Sequence, residues 1–406
     1  MAGVQPDRVL ADLRALDELT GGPGGARRIA WTDTWRRARG MLESRAAEIG
    51  LSSKADRAGN LWTFLRGKSD EVVVVGSHLD SVPAGGWLDG ALGVFAGLEL
   101  LRTFAAEGTP EKSLALVDWA DEEGARFGRS LVGSSAFTGT LERADLETIT
   151  DAEGQRAEDV LAANGVDLDA LGAPDPLLGR VRAYLELHIE QGPVLERAGV
   201  AAAAVTGTIG IERDRLVFDG QSAHAGTTPM ADRRDALLAA AESALAVDRL
   251  AIEAAARATC GRLDMSPGVP TAVIGHAELY VDLRHDDAPT LARLRDAALM
   301  EATRIAQARR CTVRRERVWS IEPRPFDARL VDAAVHACAA VGGGDFSLPS
   351  GALHDAAELA PLVPTAMIFC ASLRGLSHTP EEDSTPADIA CSIEAFELLA
   401  RSALQA

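Results

Sequence analysis

The stretch Val72–Gly97 reads VVVVGSHLDSVPAGGWLDGALGVFAG, and the rest of the chain can be placed around it. Its four valines and a glycine predict a buried strand, because β-branched apolar runs bounded by glycine favour strands. A loop with proline and glycine follows, and Gly90–Phe104 is predicted as a helix. His78, Asp80 and Asp89 therefore lie where a strand ends and a helix begins. Open α/β sheets carry their chemistry at such ends, so these side chains are candidates to bind or orient a metal ion.

The chain has 406 residues and a formal net charge of −19. This length exceeds the size at which one hydrophobic core usually stops growing, so we expect two domains. With 47% hydrophobic and 25% charged residues, the composition is typical of a soluble globular protein. The negative charge argues against nucleic acid or an anionic membrane as a partner. A small anionic substrate remains compatible with it, because a pocket can be locally positive.

Targeting signals and disulfides are not expected. The segment 1–19 has no basic stretch leading into an apolar core, and no apolar run approaches the ~20 residues of a membrane span. The cysteines are scattered and lack CxxC spacing, which predicts reduced, mostly buried thiols and a cytoplasmic protein. They are Cys260, Cys311, Cys338, Cys370 and Cys391. A cysteine hydrolase stays an alternative, although no neighbouring residue supports it.

Three further buried strands end next to polar residues. They are predicted at Ser113–Ala120, Arg182–His188 and Pro364–Cys370. Glu122 and Glu123 follow the first strand, His188 ends the second, and His378 lies in the loop after the third. The segment Arg129–Gly139 is predicted as a loop because it is rich in glycine and serine.

The pattern of predicted strands and helices changes at the stretch Gly207–Gly210 and again at the proline- and arginine-containing stretch Glu322–Pro325. Between these points, two predicted helices near 233–256 and 290–309 and three or four strands make a compact α+β unit. We therefore predict an α/β catalytic domain formed by residues 1–207 and 323–406, with a smaller domain, 208–322, inserted between its two parts.

Histidines and carboxylates at several strand ends suit zinc or another first-row divalent metal. Asp89 has two oxygens and could bridge two ions. Glu122 and Glu123 are costly to hold side by side in a cleft unless a cation offsets them or one takes up a proton. This predicts that one glutamate binds metal and the other accepts a proton from water. Each residue alone is compatible with a surface group or a charged loop; the metal site is favoured because three of eight histidines fall at such positions.

Seven segments in this order resemble one known family. They read GSHLDS…GGWLDGALGV, DEEGARF, ELHIEQGPVLE, SAHAGTTPMADRRDA, DLRH, SGALHDA and GLSHTPEE. The chain is similar to the amidase/hydantoinase/carbamoylase family, a branch of the di-metal exopeptidase and aminoacylase superfamily. That family includes N-carbamoyl-L-amino acid hydrolases, β-ureidopropionases and allantoate amidohydrolases. The resemblance implies a three-layer metallo-exopeptidase-like catalytic domain and an inserted α+β domain that acts as a lid and forms a homodimer.

The resemblance also implies two divalent ions per subunit, each bound by part of one ligand set. His78, Asp89 and His188 would bind one ion, and Asp89, Glu123 and His378 the other. Asp80 would orient His78. Glu122 would be the general base. The ligand types leave zinc, manganese, cobalt and nickel open.

The substrate residues follow from the same resemblance. His224 would reach the neighbouring subunit's site and polarise the scissile carbonyl, with a backbone-bonded turn histidine as the alternative. Gln191 would contact substrate, and Arg284 would hold its carboxylate with two hydrogen bonds. The alternative for Arg284 is a surface salt bridge with a nearby aspartate. His354 matches a pocket histidine, with support of a helix start as its alternative.

Two positions depart from the family pattern. Many members carry asparagine where Thr271 stands, and threonine keeps a hydroxyl but loses the amide. Many carry glycine where Leu353 stands, and leucine adds an apolar group at the pocket wall. Neither position is a metal ligand, so the departures affect the substrate rather than the reaction.

The predicted function is metal-dependent hydrolysis of a linear C–N bond, with an N-carbamoyl-L-amino acid giving the amino acid, carbon dioxide and ammonia. Allantoate or another ureido acid, an N-acyl amino acid and a dipeptide are alternative substrates. A binding protein that has lost activity is a further alternative.

Overall fold

The computed structural model describes residues 3–405. The helices in this range are α1 Pro6–Thr20, α2 Asp33–Ala47, α3 Ala91–Glu107, α4 Val132–Thr138, α5 Ala157–Ala163, α6 Val194–Ala198, α7 Ala236–Glu253, α8 Ala288–Ala308, α9 Ala328–Ala340, α10 Asp355–Leu359 and α11 Pro386–Gln405. The strands are β1 Ser53–Ala55, β2 Leu61–Leu65, β3 Val72–His78, β4 Ser113–Trp119, β5 Val181–Ile189, β6 Ala202–Thr208, β7 Gly210–Asp219, β8 Ala223–His224, β9 Arg257–Ser266, β10 Ala272–Val273, β11 His276–His285, β12 Thr312–Ile321, β13 Arg324–Pro325, β14 Ser347–Ser350 and β15 Thr365–Cys370.

The chain folds into two compact units. Unit 1 comprises Met1–Gly207 and Pro325–Ala406, and unit 2 comprises Thr208–Arg324. Unit 1 is therefore built from two separate parts of the sequence, and unit 2 is continuous.

Unit 1 is organised by a large mixed sheet with strand order β1-β2-β4-β3-β5-β15-β6-β13, in which β14 also pairs with β6. The four central strands β4, β3, β5 and β15 are parallel neighbours. Every residue of β3, β4 and β15 is buried, as the near-continuous apolar runs predict for parallel strands covered on both faces. Their carboxyl ends consequently meet at one edge of the sheet.

Helices cover both faces of this sheet. One core cluster joins the sheet to α1, α2, α3, α9 and α11, and a second joins the opposite face to α4 and α10. The helix α3 is buried along nearly its whole length. It approaches the strands closely at Gly93, where a Cβ atom would lie 2.3 Å from the Leu187 carbonyl oxygen. The predicted three-layer α/β fold is confirmed.

The predicted loop Arg129–Gly139 is wrong, because Val132–Thr138 forms helix α4. Its small residues reflect packing rather than a turn. A Cβ atom at Gly133 would lie 2.0 Å from Asn60 Oδ1 and 2.6 Å from the Ala120 nitrogen. Gly133 thus lets a buried helix begin directly against the end of β4.

Unit 2 is an antiparallel sheet of order β12-β7-β11-β9 with α7 and α8 on one face. Alternate residues of β11, from Ala277 to Leu283, are buried against these helices. Helix α7 begins later than the predicted residue 233, and helix α8 begins earlier than the predicted residue 290. In each case an aspartate caps the helix, because the side chains of Asp235 and Asp287 accept the backbone N–H group three residues further on. The edge strand β9 was not predicted individually, since its exposed polar residues hide the alternation.

No helix within residues 3–405 is long and apolar enough to cross a membrane. The cysteines of this range are free thiols, and three of them, Cys311, Cys338 and Cys370, are buried.

Candidate metal centre

The predicted metal ligands of unit 1 converge at the carboxyl edge of the four parallel strands. His78 is the last residue of β3, and His188 lies next to the end of β5. Glu123 follows β4, and His378 follows β15. Two groups of donor atoms result, within each of which the atoms lie within 4.8 Å of one another: His78, Asp89 and His188, and Asp89, Glu123 and His378. The sheet topology therefore brings together residues that are far apart in sequence.

His78 and His188 are both 1% exposed and are oriented by backbone carbonyl groups. The Nδ1 atom of His78 lies 3.1 Å from the Asp80 carbonyl oxygen, and that of His188 lies 2.9 Å from the Ile189 carbonyl oxygen. Donation from Nδ1 leaves each Nε2 atom as the acceptor. Both rings thus present to the site the nitrogen that a metal ion requires.

Asp89 lies between the two donor groups and uses a different oxygen for each. Its Oδ1 is 3.3 Å from His188 Nε2, and its Oδ2 is 3.2 Å from His378 Nε2. The side-chain amide of Gln191 is 3.3 Å from both oxygens and 3.1 Å from Ser377 Oγ. This geometry suits a carboxylate that bridges two cations.

The paired glutamates are held by Asp80. Its two carboxylate oxygens accept the backbone N–H groups of Glu122 and Glu123 at 3.2 and 3.1 Å. Its Oδ1 is 3.7 Å from His78 Nδ1, so His78 is oriented more closely by the Asp80 backbone than by its side chain. Glu122 Oε2 lies 3.7 Å from His78 Nε2, and Glu123 Oε2 lies 3.5 Å from His378 Nε2. The two glutamates therefore face different donor groups.

Glycine makes room for the His78 ring. Gly90 has φ +64, in the left-handed region, and a Cβ atom there would lie 2.5 Å from both Cε1 and Nε2 of His78. A side chain at this position would be strained and would also displace the imidazole. The glycine before α3 is thus required by the site itself.

The site concentrates negative charge in a buried place. Burial, followed by the charge of Asp89, raises the pKa of Glu123 to about 9. Burial and the charge of Glu123 raise the pKa of Glu122 well above its usual range. Burial lowers the pKa of His78 to about 4, so this ring is neutral. Burial acts to raise the pKa of Asp89, but the hydrogen bond from His378 and the nearby histidines outweigh it and lower that pKa. Cations at this position would offset the clustered carboxylates.

The donor atoms fit divalent metal ions. His188 Nε2 and Glu123 Oε1 are buried and make no hydrogen bond. Such atoms are costly unless a partner satisfies them. Imidazole nitrogen and carboxylate oxygen are ligands that zinc and its neighbours accept. The two groups around Asp89 are consequently suited to a metal pair.

A third cluster, Glu186, His188 and His354, has the spacing of a metal site, but Glu186 and His354 already have hydrogen-bond partners. Glu186 accepts hydrogen bonds from Ser77 at 2.9 Å and Tyr184 at 3.0 Å. His354 Nε2 lies 2.8 Å from Ser350 Oγ. This cluster is therefore better explained as a buried hydrogen-bond network.

His354 stands beside the metal ligands. Its ring centroid is 4.5 Å from that of His188, and burial together with His188 lowers its pKa well below the usual range. It is also the residue before helix α10, although its side chain makes no hydrogen bond to the start of that helix. Leu353 precedes it and is half-buried.

The remaining predicted residues belong to unit 2. His224 is exposed on β8, and its Nδ1 accepts the backbone N–H groups of Gly226 and Thr227 at 3.1 and 3.2 Å. A neutral ring in this state carries its proton on Nε2 and can donate it. Thr271 is exposed next to His224, since its carbonyl accepts the Ala225 N–H at 2.9 Å.

Arg284 lies near the other end of β11. Its Nε donates to Asp282 Oδ1 at 2.7 Å, which is one of the alternative salt bridges predicted for it. Arg213 holds the other oxygen of Asp282 through Nε and Nη2. Arg284 lines a groove of about 330 Å³ with Arg213, Arg262 and Tyr280. Its Nη groups are not used by Asp282, so they can still meet a carboxylate.

Four buried carboxylates near the site were missed from the sequence. They are Asp121, Glu186, Asp355 and Glu382. Glu186 could have been identified, because a charge inside a strand covered on both faces must have a partner. Asp121, with φ +59, accepts the Trp31 indole N–H at 2.7 Å, and nothing local in the sequence indicates that contact.

Comparisons with known proteins show which family the chain resembles. The family model described as Peptidase family M20/M25/M40 matches residues 74–402. An N-carbamoyl-L-amino acid amidohydrolase of Geobacillus stearothermophilus is 38% identical over 396 residues, covering 96% of this chain and 97% of the relative. An allantoate amidohydrolase of Escherichia coli (strain K12) is 33% identical over 387 residues, covering 93% and 92%. The crystal structure of a hydantoinase/carbamoylase family amidase from Burkholderia ambifaria has a TM-score of 0.89 at 35% identity, covering 99% and 98%.

Enzymes of the matched family use divalent metal ions, in agreement with the donor groups around Asp89. The chain belongs to Peptidase family M20/M25/M40, within its hydantoinase/carbamoylase branch of amidohydrolases.

Proposed function

We propose that the protein hydrolyses the carbamoyl group of an N-carbamoyl-L-amino acid, releasing the amino acid. The observation that carries the metal-dependent mechanism is the position of Asp89, whose two oxygens face two separate histidine-containing donor groups beside Glu122. The choice of substrate is supported by the 38% identical N-carbamoyl-L-amino acid amidohydrolase. The reaction class itself, hydrolysis of a C–N bond in a linear amide, follows from family membership.

The ligands of the metal pair are His78, Asp89 and His188 on one side and Asp89, Glu123 and His378 on the other. When bound, two divalent cations supply Lewis-acid activation of water and of the substrate carbonyl. The donor set is compatible with zinc, manganese, cobalt and nickel.

Glu122 is the general base. Its Oε2 lies 3.7 Å from His78 Nε2, beside one donor group, so it is placed to accept a proton from water at this group and to return it. It takes a proton from the attacking water, whose oxygen bonds to the carbamoyl carbon. It then delivers that proton to the amino acid nitrogen as the C–N bond breaks. The carbamate released decomposes to carbon dioxide and ammonia.

His224 and Arg284 serve the two ends of the substrate. The Nε2 proton of His224 is available to stabilise the developing oxyanion, and the free Nη groups of Arg284 bind the carboxylate. The positions 276 to 284 of β11 span about 26 Å, and His224 lies beyond position 276. An amino acid derivative spans roughly 7 Å. One copy of unit 2 therefore cannot supply both residues to one substrate, which favours a dimer whose sites are shared.

The dimer is proposed to form through unit 2. Helix α7 exposes Leu238, Leu245 and Ile252, which are spaced by seven residues and so lie along one face. Met265 on the edge strand β9 is also exposed. Such an apolar face on a charged protein is typical of a contact surface. Replacing Leu245 and Ile252 with glutamate is expected to give a monomer in sedimentation velocity with unchanged metal content.

The choice among related substrates is tested by a panel. The relatives include an N-carbamoyl-L-amino acid amidohydrolase and an allantoate amidohydrolase, and Leu353 and Thr271 depart from the common pattern at the substrate. We expect metal-reconstituted enzyme to release ammonia from N-carbamoyl-L-amino acids faster than from allantoate, and to release little acid from N-acetyl amino acids. Preference for allantoate or for the N-acetyl compounds would contradict the proposed substrate.

Two other functions are less well supported. A cysteine hydrolase needs an activated thiol, whereas burial raises the pKa of Cys370 and Cys338 to about 12 and that of Cys260 to about 11. An inactive binding protein is disfavoured by the complete ligand set and by Glu122. The free thiols also favour a cytoplasmic location, which we include in the proposal.

A further inference from the structure

Glu382 joins two loops that come from distant parts of the sequence. It is 2% exposed, and its Oε1 accepts the backbone N–H groups of Leu88 at 3.1 Å and Asp89 at 3.0 Å. Its Oε2 accepts the hydroxyl of Ser377 at 2.7 Å. One buried carboxylate thus holds the backbone of Asp89 and the residue before His378.

These loops carry two members of the same donor group. Asp89 and His378 are both candidate ligands, and their closest side-chain atoms are 3.2 Å apart. Neither residue lies within a strand or helix. By contrast, His78 and His188 are fixed by β3 and β5. The Asp89–His378 separation therefore depends on contacts between loops.

The surrounding chain is shaped to admit the Glu382 carboxylate. A Cβ atom at Gly86 would lie 1.9 Å from Oε1, 2.0 Å from Cδ and 2.4 Å from Oε2 of Glu382. The carboxylate occupies the space that a side chain at this position would need. Gly86 is consequently a requirement of Glu382 and not only of the turn.

A buried cation lies in the electrostatic surroundings of the Glu382 carboxylate. Arg28 is fully buried and attracts both Asp89 and Glu382 electrostatically. Its Nε donates to the Leu79 carbonyl oxygen at 2.7 Å, which ties the guanidinium to the residue after His78. The two bonds from backbone N–H groups and the bond from Ser377 together link both loops through one side chain.

We propose that Glu382 is a positioning residue that sets the spacing of Asp89 and His378 and thereby the affinity of the ion bound by Asp89, Glu123 and His378. The inference rests on the ligand assignment of the proposed function. The ion bound by His78, Asp89 and His188 depends on it less, because two of its ligands belong to core strands.

The test compares Glu382→Gln with the parent enzyme and with Glu381→Gln. Glutamine keeps an oxygen for the two backbone N–H groups but cannot accept from Ser377. Glu381 is exposed and adjacent, so its variant is a matched control. Metal-free proteins are titrated with Zn²⁺ by calorimetry, bound metal is counted by mass spectrometry, and thermal unfolding is followed without metal.

We expect Glu382→Gln to bind the ion at Asp89, Glu123 and His378 about 10- to 100-fold less tightly, which is the usual effect of losing a residue that supports metal ligands. The affinity for the second ion should stay nearly unchanged. The control should match the parent, and metal-free Glu382→Gln should remain folded. Ser377→Ala removes the Oε2 contact and also the contacts of Ser377 Oγ with Gln191 and Asp89. It should weaken the same ion by a smaller factor, and it keeps the test valid if Glu382→Gln does not fold.

Parental affinity for both ions in the variants would overturn the inference, as would equal weakening of both. A parent enzyme that binds two ions and hydrolyses an amide, together with such variants, would leave the proposed function intact while removing this role of Glu382. A parent enzyme that binds no metal would overturn both.

Discussion

The candidate residues of unit 1 and of unit 2 differ in how they are held. His78, Asp89 and His188 are almost fully buried, and His78 and His188 lie at or next to the ends of core strands. His224 and Thr271 are exposed on short strands and turns. The candidate ligands of unit 1 are held by contacts within that unit, whereas His224 and Thr271 are exposed within one copy of unit 2. This difference agrees with the proposal that unit 1 binds the metal ions and that unit 2 contributes residues through a dimer.

The largest expected effect concerns Glu122, the proposed general base in unit 1. Glu122→Gln should lower kcat by about 10²- to 10⁴-fold, because amide nitrogen and oxygen cannot carry the proton from water to the leaving amine. Metal content, measured by mass spectrometry, should stay at the parental value. Activity within about tenfold of the parent would contradict the role of Glu122 as base.

The next largest effect concerns His224 and tests whether catalysis depends on unit 2. His224→Ala should lower kcat by about 10²- to 10³-fold through loss of one oxyanion donor. Because the residue lies outside unit 1, metal binding should not change.

Coexpression with Glu122→Gln sharpens this test. If sites are shared, half of the dimers are mixed and each has one intact site, which restores up to about a quarter of parental activity. Activity of the mixture no greater than the average of the two variants would argue against shared sites.

A smaller effect concerns substrate binding. Arg284→Ala should raise KM about 10- to 100-fold for an N-carbamoyl amino acid, as expected from losing hydrogen bonds to a charged group worth about 1.5–3 kcal/mol. The matching amide of the substrate, which lacks the carboxylate, should show almost the same kinetics with both enzymes. An equal loss on the two substrates would exclude recognition of the carboxylate.

The smallest effect concerns the support of Arg284. Its side chain and that of Asp282 are 35% and 16% exposed, and such pairs contribute about 0.2–1 kcal/mol. Asp282→Asn should therefore raise KM by no more than about fivefold and leave kcat unchanged. A rise equal to that of Arg284→Ala would mean that Asp282 itself contacts substrate.

The same contrast explains what could be predicted from the sequence. Strand ends in unit 1 were located correctly because apolar runs end abruptly at His78 and His188. Since parallel neighbours end at one edge, a shared site for these ligands followed without knowledge of exact positions. The expectation for α4 failed because Gly133 and its serines are also typical of loops.

Contacts between residues that are distant in the sequence could not be predicted. Glu382 in the sequence is the second of two adjacent glutamates, and its exposed neighbour Glu381 has the same side chain. Only the fold distinguishes them, by placing one against the Asp89 loop. Likewise Asp121 and Trp31 meet over 90 positions of sequence. In unit 2, Arg284 was assigned by resemblance, since its pairing with Asp282 is what composition alone would suggest.

The glycine next to His78 has a practical consequence for redesigning the enzyme. Any side chain at position 90 would overlap the imidazole, and one at position 93 would overlap the backbone of a neighbouring strand. A mutant library that varies these two positions should return only glycine among active clones. Leu353 is half-buried and Thr271 is exposed, so neither faces such a restriction, and they are the positions at which we propose that diversity would change the choice of substrate.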